Sequence, residues 1–342
     1  MNIQKALAIL LEGGNLEYQD MRDVMTLIMS GEATPSQIGG LLIALRMKGD
    51  TVDEVSAAAS VMRELASSVK TAEANTVDIV GTGGDTLSTF NVSTASSLVA
   101  AAAGVRIAKH GNRSVSSKSG AADLLEAAGV NVDLTPEQVG RCVDEVGVGF
   151  MFAPNFHAAM KHAIGPRREM AVRTIFNLLG PLTNPAGAPN QVLGVFDAQW
   201  VTPIAEVLNK LGSRHVMVVH SDDGMDEISC CAPTRVAELR DGTVREYTIN
   251  PADFGMTTNK LSDIQVPGPE ASLEMVHSVL ANTAGAPLDM IKLNAGAAIY
   301  VAGIAENFKE GVTIAADTIA SGKAVEKLNS LIELSQTFSS ES

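Results

Sequence analysis

Two glycine-containing loops and one acidic run hold the residues of this chain that are equipped for chemistry. Asp78-Ile79-Val80-Gly81-Thr82-Gly83-Gly84-Asp85 follows a short apolar run and precedes Asn91-Val92-Ser93-Thr94 at the head of an alanine-rich stretch. Glycines let backbone N–H groups turn toward an anion without interference from a Cβ. The Ser/Thr pair suits the cap of the next helix, whose N-terminus would face the same anion. A tight strand-to-helix connection without any ligand has the same pattern. A dinucleotide fingerprint fits poorly because the third glycine is missing at its spacing, and a P-loop fits worse because no Gly-Lys-Ser/Thr follows. The pattern predicts a phosphorylated substrate in a cradle of another kind.

The second loop, Lys109-His110-Gly111-Asn112-Arg113-Ser114-Val115-Ser116-Ser117-Lys118-Ser119-Gly120, gathers three cations, four serines and two glycines. In so acidic a chain this predicts anion binding, with charge from lysine and arginine and orientation from hydroxyls and backbone N–H groups. His220-Ser221-Asp222-Asp223-Gly224-Met225-Asp226-Glu227 packs four carboxylates round a glycine. That run suits Mg²⁺ shared with substrate phosphates, or else is an acidic turn at a strand end; it fails the EF-hand spacing. Neighbouring carboxylates of an extended strand face opposite ways, so Asp226 and Glu227 require a bend or two separate ions. Arg167, Arg168 and Arg173 flank the next breaker-rich segment, where a guanidinium fork could meet a carboxylate or phosphate. His110 and His157 have the most suggestive histidine contexts, yet no histidine pair has metal-helix spacing. Trp200 is expected in the core, and no nucleophile elbow is present.

The elements that must position these residues follow from periodicity. Apolar positions at helical spacing predict helices in Ile3–Leu11, Met21–Met29, Ile38–Met47 and Val55–Leu65, with capping boxes at Thr34/Gln37 and Thr51/Glu54. Beyond Asn75, strands alternate with helices: Val77–Val80, Ala95–Ala103, Val105–Ala108, Ala121–Ala128 and a helix after Thr135-Pro136. Strands follow at Gln191–Val195 and His215–Val219, then a hairpin through Asp241-Gly242. The alternation predicts an α/β protein with a mainly parallel sheet. One helix is expected over Arg167–Leu179. Gly180 to Gly187 carries too many breakers for regular structure and is expected to be a hinge or domain crossing.

Composition narrows the function classes. A net charge of −14 repels nucleic acid and anionic membranes, so a polyanionic ligand needs a local basic pocket. Cys142, Cys230 and Cys231 are odd in number and lack metal spacing, which predicts free thiols in a reducing compartment. No stretch reads as a signal peptide or spans a bilayer, so a cytoplasmic protein is expected.

Together, Gly81-Thr-Gly-Gly-Asp85, Thr89-Phe-Asn-Val-Ser-Thr94, Lys109-His-Gly-Asn-Arg-Ser-Val-Ser-Ser-Lys118, Arg173-Thr-Ile-Phe-Asn-Leu-Leu-Gly-Pro-Leu-Thr-Asn-Pro185 and Asp223-Gly-Met-Asp-Glu227 closely resemble the anthranilate phosphoribosyltransferase family over nearly the whole chain. The resemblance implies transfer of phosphoribosyl from 5-phosphoribosyl 1-pyrophosphate (PRPP) to the amine of anthranilate, in tryptophan biosynthesis. It implies the class II nucleoside phosphorylase-like fold: a small helical domain, residues 1–70 plus about 166–187, hinged to a larger α/β domain, residues 71–165 and 188–342. A homodimer through the helical domains is implied as well.

By the same resemblance Gly81, Gly84, Asp85, Thr89, Asn91, Val92, Ser93 and Thr94, with Lys109 to Ser117 and Ala121, hold PRPP. Gly81, Asn112 and Arg167 meet anthranilate, with His110 and His157 near its route. Ser93, Asp226 and Glu227 bind two Mg²⁺ ions. Ala121 stands where the family often has serine, Phe156 replaces a frequent histidine, Met170-Ala171 replaces a common Leu-Gly, and Thr86-Leu87-Ser88 is unusual. The rivals are a pyrimidine nucleoside phosphorylase, disfavoured by the acidic run, and a silent nucleic-acid-binding relative, disfavoured by the charge.

Overall fold

The structure, a computed structural model, describes residues 1–113 and 119–338. The chain opens with four helices, α1 (Ile3–Leu11), α2 (Tyr18–Met29), α3 (Pro35–Lys48) and α4 (Val52–Leu65). Both expected capping boxes form. Gln37 N–H donates to Thr34 Oγ1 at 3.3 Å while Thr34 N–H donates to Gln37 Oε1 at 2.9 Å, and Thr51 and Glu54 exchange the equivalent pair. Each cap satisfies otherwise orphaned helix-end donors, worth about 1 kcal/mol. Met21, Val24, Met25 and Ile28 of α2 and Val55, Ala58, Val61 and Met62 of α4 recur at helical spacing and bury a common core.

From Thr76 the pattern becomes β1 (Thr76–Gly81), α5 (Val92–Ala102), β2 (Arg106–Gly111), α6 (Ala121–Ala127), α7 (Pro136–Arg141), β3 (Val148–Phe152), α8 (Ala153–Phe156), α9 (Lys161–Met170) and α10 (Phe176–Leu182). Then come β4 (Asn190–Gly194), α11 (Val201–Lys210), β5 (His215–Ser221) and the hairpin β6 (Thr234–Arg240) and β7 (Thr243–Ile249). Helices α12 (Pro269–Leu280), α13 (Ala286–Val301), α14 (Phe308–Ala320) and α15 (Lys323–Thr337) follow. No helix among the described residues is long and apolar enough to cross a membrane.

The strands form one sheet in the order β3-β2-β1-β4-β5-β6-β7, parallel from β3 to β5 and antiparallel from β5 to β7. In β5, Val216 and Val218 pack with the helical domain and α11, whereas Met217 and Val219 pack with α5 and the C-terminal helices. Burial on both faces explains why such strands read as unbroken apolar runs. Strand β1 lies between β2 and β4, the place where strand order reverses and where open α/β sheets bind ligands. Helix α9 packs on α3 and α10 on α4, so this later segment returns to the helical domain.

Four local expectations are corrected. The single helix over Arg167–Leu179 is two, because Ala171 is left-handed (φ 51°) and closes α9; Asn177 Oδ1 then accepts from Thr174 N–H at 3.0 Å ahead of α10. Gly180 and Pro181 are helical rather than irregular, and α10 ends at Leu182. Strand β3 was not anticipated, since all of Val148–Phe152 is buried and shows no alternation. Ser93 and Thr94 lie inside the first turn of α5, and Asn91 occupies the N-cap with its side chain engaged elsewhere.

Candidate active site

The parallel strands deliver the chemical residues to one sheet edge. Gly81 at the end of β1 pairs in register with Gly194 at the end of β4. The loop after β1 is tied to that neighbour: Thr82 N–H donates to Gly194 O at 2.9 Å, and Phe196 N–H to Thr82 Oγ1 at 3.0 Å. Gly83 N–H donates to Asp226 Oδ2 at 2.7 Å, across 143 residues of sequence. Asp226 reaches this position because the chain turns after β5, with Gly224 at φ 91°, so the two acidic neighbours are not on an extended strand. A Cβ on Gly81 would sit 2.3 Å from Asp226 Oδ2, and one on Gly194 1.5 Å from Asp226 O; both glycines are the room this carboxylate occupies. Farther along, Thr86 and Ser88 take positive φ, 61° and 56°, a costly conformation for residues with side chains. Thr89 is held by a bridge to Gln265, and Leu87 N–H donates to Asp85 Oδ1 at 3.3 Å.

Lys109 of β2 is the buried cation of the site. Its Nζ donates to Ile79 O at 2.6 Å and to Ser93 Oγ at 3.0 Å. Burial pushes its pKa down, while the charges of Asp78 and Glu227 oppose that shift. Glu227 is raised well above the usual carboxylate range by burial and by the charge of Asp226; Lys109 and a hydrogen bond from the Ser93 backbone pull the other way. Asp226 is raised to about 6 by burial and by Asp85, and Asp85 is itself raised by burial with Asp223 nearby. Three carboxyls therefore crowd a pocket edge with more negative charge than Lys109 offsets.

Around them, Asn91 is a hub. Its N–H donates to Ser272 Oγ at 3.0 Å, its Nδ2 to Ser119 O at 3.2 Å, and its Oδ1 accepts from Ser119 Oγ at 2.7 Å and Ser272 Oγ at 2.8 Å. Val92 is buried, and Thr94 is buried with its hydroxyl unpartnered. Gly111 ends β2, Asn112 O accepts from Ala122 N–H at 3.3 Å, and Ala121 opens α6. Arg113 faces α6, paired with Glu126 and lying 5.2 Å over the Phe152 ring. Ser114, Val115, Ser116 and Ser117 lie outside the described residues.

His110 and His157 are buried with ring centroids 5.1 Å apart and both Nε2 atoms unpartnered. Burial and the neighbouring ring depress His110 to about 3, so it stays neutral, and burial lowers His157 too. Their rings meet the Gly180 and Thr183 backbone, which sets them against the crossing from α10 to β4. Arg167, in the last turn of α9, lies 5.0 Å over the Phe176 ring, with no carboxylate paired to it among the described residues. Trp200 is in the core, as expected.

Three positioning residues were missed. Asp78, fully buried in β1 and raised to about 6 by burial, accepts from His110 N–H at 3.1 Å and from Asn184 Nδ2 at 2.7 Å. Asn184 also donates to Ala108 O at 2.8 Å. A carboxylate inside an apolar strand was the readable signal for Asp78; nothing local marked Asn184, or Gly194 as the space for Asp226.

No group of three or more His, Cys, Asp or Glu among the described residues forms a metal cage. Asp226, Glu227 and the Ser93 hydroxyl instead make a partial oxygen set with excess negative charge. This fits Mg²⁺, which keeps waters and shares substrate phosphates.

The Glycosyl transferase family helical bundle domain matches residues 4–66, and its a/b domain matches residues 73–325. Anthranilate phosphoribosyltransferase of Thioalkalivibrio sulfidiphilus is 61% identical, over 97% of this chain and 98% of that protein. The crystal structure of the Thermus thermophilus anthranilate phosphoribosyltransferase superposes with a TM-score of 0.92 at 42% identity, covering 97% of this chain and 99% of that one. The Saccharomyces cerevisiae enzyme in complex with PRPP and Mg superposes with a TM-score of 0.89 at 26% identity, covering 98% of each chain. With a helical bundle before the α/β domain, glycine loop and carboxylates at one sheet edge, and identity sustained from end to end, the chain belongs to the anthranilate phosphoribosyltransferase family.

Proposed function

We propose that this chain transfers phosphoribosyl from PRPP to the amine of anthranilate, forming N-(5-phosphoribosyl)anthranilate and pyrophosphate. One observation carries the reading: Lys109 Nζ on Ser93 Oγ at 3.0 Å, with Glu227 beside both, joins three motifs far apart in sequence into one anion and metal site. The bond from the anomeric carbon to pyrophosphate breaks, the bond to the amine nitrogen forms, and the amine proton leaves to solvent. Negative charge grows on the leaving group and oxocarbenium-like charge on the ribose. Lys109 and the loop after β1 hold the leaving group. Ser93, Asp226 and Glu227 would hold two Mg²⁺ ions, which would supply charge neutralisation of the diphosphate.

Gly81, Gly84, Asp85, Thr89, Asn91 to Thr94, Lys109 to Arg113 and Ala121 form the described part of the donor site in this reading. Arg167, carrying its charge without an acidic partner, forks onto the anthranilate carboxylate, with Gly81, Asn112 and the neutral His110 and His157 along the route. Anthranilate's amine is neutral near pH 7, so placing it contributes more than deprotonating it. The helical domain comprises residues 1–70 with about 166–187 and joins two copies. Leu11 and Met47, 78% and 83% exposed on α1 and α3, support that face for the homodimer. The cytoplasm supplies both substrates.

Loss of anthranilate fluorescence with PRPP and Mg²⁺ present tests the reaction. Phosphorolysis of a pyrimidine nucleoside with no such loss would replace it with the phosphorylase reading. Sedimentation of the intact chain at twice the monomer mass, lost in a Leu11→Asp/Met47→Asp variant that keeps its helical content, tests the dimer face.

A further inference from the structure

The segment between α9 and α10 carries a side chain that reaches the donor loop. Arg173 is exposed, and among the described residues no carboxylate lies within ion-pair distance of it. Its Nη2 donates to the Gly84 carbonyl, and its guanidinium carbon lies 4.4 Å from the Phe196 ring centroid. Phe196 itself is fixed to the same loop through Thr82, by the 3.0 Å bond from its N–H. Ile175 and Phe176, just beyond Arg173, are buried in the helical-domain core. One guanidinium thus connects that core to a loop that Asp226, Gly194 and Gln265 of the α/β domain hold on its other side.

We propose that Arg173 is a positioning residue that sets the orientation of the Gly84–Asp85 peptide for the phosphoribosyl donor. The peptide unit is planar and trans, so its C=O and N–H point in opposite directions. With the Gly84 carbonyl held by Arg173, the Asp85 N–H is turned away from the guanidinium, and among the described residues nothing accepts from it. The Gly83 N–H is taken by Asp226, which leaves the Gly84 and Asp85 N–H groups without an acceptor among the described residues; of these two, the Asp85 N–H belongs to the peptide that Arg173 holds. Gly84 has φ 82°, and a Cβ there would come 3.3 Å from Arg173 Nη2, so the close approach depends on glycine. The Phe196 ring is the platform: stacking leaves the guanidinium's edge free to donate.

The inference rests on the proposed reaction and predicts a split among kinetic constants. Arg173→Ala is expected to raise the KM for PRPP roughly tenfold or more, the scale of one charge-assisted hydrogen bond, with the KM for anthranilate nearly unchanged. Arg173→Lys, which keeps a donor, should recover part of the loss, and Phe196→Leu should reproduce a smaller donor defect. Calorimetry with Mg²⁺ and inorganic pyrophosphate as the probe should show the same order of weakening. Equal changes in both KM values, or an unchanged PRPP constant in a folded Arg173→Ala protein, would overturn the proposal. A wild-type protein that binds Mg²⁺-pyrophosphate yet consumes no anthranilate would overturn the reaction instead.

Discussion

Two buried acidic sites, one in the helical domain and one at the sheet edge, show how differently this chain treats a carboxylate. Glu54 of α4 is fully buried, and both carboxylate oxygens are engaged: Lys48 Nζ donates at 2.8 Å, Leu16 N–H at 2.9 Å and Thr51 N–H at 2.9 Å. Asp226 is also buried and Glu227 half-buried, but they crowd each other and Asp85, with Lys109 as the compensating charge. A buried carboxylate with all partners present is a structural fastener. The carboxylate cluster, whose pKa values burial and mutual repulsion drive upward, is the set proposed above to take Mg²⁺. Asp50, beside Glu54, shows the intermediate case: its Oδ1 is buried without a partner, and burial with the charge of Glu54 pushes it up to about 6.

The contrast can be broken most decisively at the sheet edge. Asp226→Ala/Glu227→Ala should lower kcat by about a thousandfold or more, about 4 kcal/mol of transition-state stabilisation, with no loss of thermal stability. Normal turnover at limiting Mg²⁺ would contradict the metal role. Glu54→Ala should do the converse, costing about 3–5 kcal/mol in urea unfolding because Lys48 and two N–H groups are left buried without it. Its turnover at a temperature where it stays folded should match the parent protein, and a stability-neutral result would mean that the network is not what holds α4.

Smaller effects sharpen the same comparison. Arg167→Ala should raise the anthranilate KM by about ten- to a hundredfold with little effect on the PRPP constant; the reverse pattern in steady-state kinetics rejects the assignment. Asp50→Asn should stabilise the protein by about 3 kcal/mol at pH 7. The sign follows from its folded pKa of about 6, above the ordinary 3.8. Between those values the unfolded chain has released the proton that the folded chain keeps, so native stability falls as pH rises through the window and levels off above it. The gain from asparagine should therefore be full above pH about 6 and vanish below about 4; a constant difference across that range would assign it to packing.

Legibility divides along the same line. The Thr51/Glu54 capping box was readable because its two residues lie three apart, whereas the Leu16 contact of Glu54 spans 38 residues; periodicity located the four bundle helices. Glycine loop, Lys109 and acidic run were readable as chemical types, but their meeting was not. The Lys109–Ser93 and Gly83–Asp226 contacts span 16 and 143 residues, and no local pattern encodes such a separation. Arg113 was readable as a cation of the loop, but its pairing with Glu126, a residue of the next helix, was not. The break at Ala171 escaped notice because alanine is an ordinary helix former, yet here it caps α9 in a left-handed conformation with its N–H donating to Arg167 O at 3.1 Å.

The sequence by itself determined the helical N-terminal unit, the alternating α/β remainder and the kinds of side chain able to handle an anion and a cation, because periodicity, caps and residue chemistry act over a few positions. Only the tertiary structure decided which loop amide Asp226 occupies, which strand-end glycines make room for it and which arginine steadies the loop. Those outcomes depend on how the carboxyl ends of β1, β2, β4 and β5 are stacked into one edge, a consequence of packing the sheet between two separate cores rather than of any short stretch of chain.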